Sequence, residues 1–167
     1  EGVIAAIRGQ ESLPPNAALL TFDDGYRDHY DFVLPLLIDK GLQGSFFVPA
    51  DPVVSRRVLD VNKLHLILAV SPETGKIVDA IEGRIEGERD RLELPSRDEL
   101  RKRFRTATRF DSPDVAYIKR LLQRVLPEDF RSKVTASLFS QYVSSDEAAM
   151  AKEIYLSPAQ IAEMLSA

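Results

Sequence analysis

The chain has 167 residues, 44% of them hydrophobic and 29% charged, with a net charge of −4 and no cysteine. Its length allows one domain with its own core, or part of a larger domain plus an insertion. Arginines balanced by nearby acids argue against a nucleic-acid partner. Lack of cysteine excludes disulfides, thiolate metal sites and a cysteine nucleophile, and no apolar run approaches the roughly 18 residues of a membrane span. The composition fits the cytoplasm and leaves the cell envelope open, so the compartment stays unassigned.

In chain order, Val3, Ile4 and Ile7 give a short helix, followed by a Pro14-Pro15 turn. Ala17–Phe22 is short and apolar, the pattern of a strand covered on both faces in a parallel sheet. Asp23 and Asp24 fall just past its carboxyl end, where open α/β sheets and α/β barrels place their sites. A helix is predicted from about 28 to 40, burying Phe32, Val33, Leu36 and Leu37. Pro35 kinks it or lies in its first turn, and Gly41 is its left-handed cap. Gly44–Val48 reads as a second buried strand stopped by Pro49. Strand, helix and strand make a right-handed βαβ unit with parallel strands.

From residue 52 the chain changes character to four to six helices and no strand. Ser71-Pro72 and Ser112-Pro113 place proline at the first helical position, while Ser96 with Glu99 and Ser144 with Glu147 have capping-box spacing. Val115, Ile118, Leu122 and Val125 form one apolar stripe, and after Pro127 comes another of Phe130, Val134, Leu138 and Tyr142. Phe104, Phe110 and Phe139 also have core spacing. The alternating charges of residues 82–105 read as solvated helix faces. The last segment, from Ile154, enters a helix capped by Ser157 and Gln160 with Ile161, Met164 and Leu165 on its apolar face. The reading therefore has an α/β portion at 1–51, a helical insertion at 52–152 and a return segment with a helix at 153–167. A parallel sheet of two strands is too small to stand alone.

The string Thr21-Phe22-Asp23-Asp24-Gly25-Tyr26, with Asp28, Tyr30, Pro35, Leu36, Leu37, Gly41 and Ser45-Phe46-Phe47-Val48 at these offsets, resembles the opening of the NodB-like polysaccharide deacetylases, carbohydrate esterase family 4. The match covers about residues 13–49, and Leu156–Leu165 is similar to the helix before that family's second motif. The resemblance implies the start of a deformed (β/α) barrel. It also implies a divalent metal, usually zinc, with cobalt, nickel or manganese as alternatives. Asp23 matches the general base and Asp24 a metal ligand; Gly25 matches the turn glycine. Metal-bound water is acidified towards neutrality, and a separate carboxylate then takes its proton as it attacks an acetyl carbonyl. The implied substrate is an N-acetylated (or O-acetylated) sugar or polysaccharide. Thr21 is a candidate to orient either carboxylate, and Tyr26 to pack beside the site. The family's histidine pair has no counterpart, so the chain is expected to be an N-terminal piece, inactive alone and holding metal weakly. The two histidines are minor ligand candidates: His29 is expected on the solvent side of the first helical turn, and His65 as a structural histidine of the insertion.

Two other readings stay open. Phosphoryl transfer, as in haloacid-dehalogenase-like enzymes, also uses aspartates after a first strand, but with Asp-x-Asp spacing that the adjacent pair fits poorly. Alternatively, the helical region is an interaction or oligomerisation module on a non-catalytic deacetylase-like core, with a homo-oligomer, such as a dimer, completing that core.

Overall fold

The computed structural model describes residues 2–71 and 73–167. The Ser71-Pro72 helix start therefore falls partly outside the described residues. The chain divides into two units, 1–53 with 153–167, and 54–152.

In the first unit, α1 (Gly2–Ile7) precedes β1 (Leu20–Asp23), which pairs in parallel with β2 (Gly44–Phe47). Leu20 lies opposite Gly44 and Asp23 opposite Phe47. Glycine at 44 is required by packing, since a Cβ there would lie 2.9 Å from both Leu37 Cδ1 and a Phe22 ring carbon. Between the strands, a π-helical turn (His29–Val33) runs into α2 (Leu34–Lys40). Pro35 sits in the first turn of α2, where its missing N–H costs nothing. Gly41 ends α2 at φ 61°, its N–H reaching the carbonyls of Ile38 and Leu37. The unit also includes most of α3 (Ala50–Ser55), the end of α9 (Glu147–Ile154) and α10 (Pro158–Ser166). Ser157 and Gln160 form the expected capping box of α10.

This α/β unit is less enclosed than its apolar strands suggest. β1 is exposed apart from half-buried Phe22, and Phe47 is 59% exposed. Of the four residues expected to be buried by the helix, Leu37 alone is; Val33 is half-buried, and Phe32 and Leu36 are exposed. The physical reason is the size of the sheet. Two strands and one crossover helix have too few neighbours to cover both faces of either element.

The second unit has a dense core. It comprises α4 (Asp60–Val70), α5 (Thr74–Glu88), α6 (Arg97–Phe104), α7 (Pro113–Arg120) continued by a π turn (Leu121–Val125), α8 (Glu128–Tyr142) and most of α9. α4 packs on α8, α5 on α7 and α8, and α6 on α7. Ile67, Ile77, Ile81, Ile118 and Leu138 are wholly buried, each worth roughly 1.5–3 kcal/mol relative to exposure. Ser96–Glu99 and Ser112 cap their helices as their spacing predicts. At α9 the cap differs: Asp146 Oδ1 accepts the N–H of Ala149 at 2.9 Å. Glu147 is drawn away instead, accepting the Val58 N–H and pairing with buried Lys63, both at 2.9 Å.

Glu82 is the exception to the reading of 82–105 as solvated faces, since the other charged side chains of that stretch are exposed or half-buried. Its carboxylate is buried, and Arg101 grips it through Nε and Nη2, both at 2.7 Å, with Arg97 at 3.3 Å. Burial, then the Glu82 charge, pushes the neighbouring Tyr117 phenol up. Phe110, expected in the core, is 86% exposed, because it sits in the loop between α6 and α7 rather than on a helix face.

Candidate functional site

Asp23 is the last residue of β1, and the chain turns sharply after it. Asp24 has φ 68° and Gly25 φ 64°, two successive left-handed residues. Asparagine and aspartate tolerate this region better than most residues, yet outside glycine it still costs about 1 kcal/mol. Gly25 is required here twice over. Besides its φ, an added Cβ would meet Val48 Cγ1 at 2.8 Å.

The turn is held by the return segment. Gly25 O accepts the N–H of Leu156 at 2.9 Å, and Arg27 donates its N–H to Ile154 O at 2.8 Å. Tyr26 and Tyr155 form an antiparallel bridge between these bonds and stack at 5.8 Å. Tyr155 and Leu156 are buried. Their part in holding the site was missed in the sequence, where the segment was legible only as the approach to a capped helix.

Asp23, exposed, and Asp24, half-buried, line an open hollow of about 600 Å³ together with Phe46, Phe47, Val48 and Pro49. Two carboxylates thus face an apolar wall at the carboxyl end of a parallel sheet. Thr21 is exposed on β1, opposite Ser45.

His29 does not lie on the solvent side. Its ring packs at 5.6 Å from Phe22, 5.8 Å from Phe46 and 6.0 Å edge-on to Tyr26. The wide π turn rotates it onto this aromatic cluster. Nδ1 is buried and has no hydrogen-bond partner. Burial lowers the imidazole pKa from its ordinary 6.5, outweighing the opposite pull of Asp28, Asp24 and Asp23. His65, expected to be a structural histidine, is instead exposed on α4 in the helical unit.

Two adjacent aspartates meet the donor chemistry of a hard or borderline divalent ion. They do not complete a site. Among the described residues, no group of three or more His, Cys, Asp or Glu is placed to hold a metal. The residues present therefore do not fit a three-donor centre by themselves. The helical unit carries a second groove of about 690 Å³ beside Phe130, but its three cations and three acids balance and no predicted site residue lines it.

No protein-family model matches the chain, and no curated protein or solved structure matches it significantly.

Proposed function

We propose that the α/β unit is the opening of a deformed (β/α) barrel and carries the carboxylate pair of a NodB-like deacetylase. The reaction is hydrolysis of an N-acetyl, or O-acetyl, group on a sugar or polysaccharide. The observation that carries the reading is the strained Asp24-Gly25 turn at the carboxyl end of β1, pinned by Leu156 and facing the Phe46–Pro49 wall. Residues held in sparsely populated backbone regions cluster at functional sites.

In this reading exposed Asp23 accepts the proton of the water that attacks the acetyl carbonyl. Asp24 is one ligand of a divalent metal, zinc by preference. Two further donors would be needed to complete such a centre, and among the described residues none is grouped with Asp24. The reading is tested by expressing the full reading frame of the source gene and measuring acetate release from N-acetylated oligosaccharides with added zinc. Full activity after exhaustive chelation contradicts it.

One observation favours a second reading, a non-catalytic core used for association. Phe32, Leu36, Ile38, Leu42 and Phe47 are each more than half exposed in the α/β unit. Light scattering that finds only monomer at high concentration counts against that reading.

A further inference from the structure

The loop between α6 and α7 is held from several directions. Arg120 Nη1 donates to Phe104 O at 2.5 Å and to Thr106 O and Oγ1, each at 2.9 Å. Thr108 N–H donates to Asp111 O at 3.0 Å, while Thr108 Oγ1 accepts the N–H groups of Phe110 and Asp111. Lys119 Nζ reaches both Asp111 oxygens, at 2.8 and 3.0 Å. Yet this stapled loop holds Phe110 out in solvent, 86% exposed, with the Arg109 guanidinium 5.3 Å from its ring centroid.

The local charge runs against the net charge of the chain. Residues 101–110 contain five basic residues and no acid. Arg101 and Arg105 are neutralised by Glu82 and Asp114. Lys102, Arg103 and Arg109 are exposed and form no ion pair among the described residues. The helix dipole accounts for cations in the last turn of α6, but not for an aromatic–arginine pair on a rigid tip beyond it.

We propose that this loop, with Phe110 as anchor and Lys102, Arg103 and Arg109 as its cations, is a docking site for an acidic polypeptide that carries apolar side chains between its carboxylates. Aromatic residues and arginine are the residue types that dominate binding hot spots. A loop already fixed by its own hydrogen bonds loses little further freedom when it binds. A nucleic acid fits less well: its binding is carried mainly by many phosphate contacts, whereas the loop offers three exposed cations without an ion pair among the described residues and one exposed aromatic ring.

The test is fluorescence anisotropy on the whole chain with two labelled probes, a random copolymer of glutamate and tyrosine and a 20-nucleotide deoxythymidine oligomer. Wild-type protein is expected to bind the copolymer. Phe110→Ser, and separately Arg103→Glu with Arg109→Glu, should each weaken binding roughly tenfold or more. These side chains are exposed, so circular dichroism should show the fold retained. The proposal is overturned if the copolymer fails to bind, if wild type and both variants bind it equally, or if the deoxythymidine oligomer binds more tightly than the copolymer.

Discussion

Tyr26 and Tyr155 stack with ring centroids 5.8 Å apart and share an antiparallel bridge, so a residue far along the chain closes the turn that carries Asp23 and Asp24. Asp23 is placed by strand pairing with Phe47, and the residues after it by the return segment. Replacing buried Tyr155 by alanine should therefore destabilise the α/β unit by about 3 kcal/mol. Hydrogen exchange should quicken at the amides of Arg27 and Leu156, whose bonds flank the bridge. Unchanged protection at both amides contradicts this account of the turn.

Gly25 and Gly44 should fail on substitution for different reasons. Gly25→Ala combines a left-handed φ with a 2.8 Å clash against Val48, whereas Gly44→Ala only crowds Leu37 and Phe22. Gly25→Ala should cost about 2–3 kcal/mol in chemical denaturation, and Gly44→Ala about 1–2 kcal/mol. The reverse order would mean that the turn at residue 25 is not left-handed.

His29 should make the α/β unit sensitive to mild acid. Its folded pKa is lowered, chiefly by burial, so below the ordinary value of 6.5 the unfolded chain binds more protons than the folded one. The stability held above about pH 6.5 is then lost as pH falls through the lowered folded value. Asp28, Asp24 and Asp23 oppose this shift, so their removal should steepen the loss. His29→Phe keeps an aromatic ring beside Phe22 and Phe46 and should flatten the dependence between pH 7 and 5. An equally steep profile in that variant assigns the effect elsewhere.

Much of this was legible in the sequence, and the gaps have physical causes. The capping boxes at Ser96 and Ser157 and the Gly41 cap follow from local chemistry, so spacing found them. The stripe through Val134 and Leu138 is likewise local and is buried in the structure. Ser144 failed as a cap because Glu147, its expected partner, is claimed by Lys63 and the Val58 amide, a contact that no spacing rule anticipates. Glu82 failed for a related reason, since only tertiary packing turns one acid of a charged run inward. At the site, the Asp23-Asp24-Gly25 string announced the turn. The packing of the half-buried His29 ring on Phe22 and Phe46 follows from a π turn, and the role of Tyr155 from a long-range bridge.

The buried Glu82–Arg101 pair makes a prediction for the helical unit. Arg101→Met removes the bidentate partner, leaves Arg97 at 3.3 Å, and should destabilise by about 3 kcal/mol. Pairing it with Glu82→Met removes the buried charge as well, so the double variant should recover most of that loss. A double variant that is no better than Arg101→Met alone contradicts the account of this pair.

The most direct measurement of the central claim is acetate release from an N-acetylated oligosaccharide, with zinc present, by the full protein encoded by the source gene. Wild type is compared with Asp23→Asn and Asp24→Asn, each shown to be folded. The account predicts acetate from the wild type, abolished by either substitution, with bound zinc weakened by Asp24→Asn and not by Asp23→Asn. A wild type that releases no acetate, or variants as active as the wild type, would contradict it.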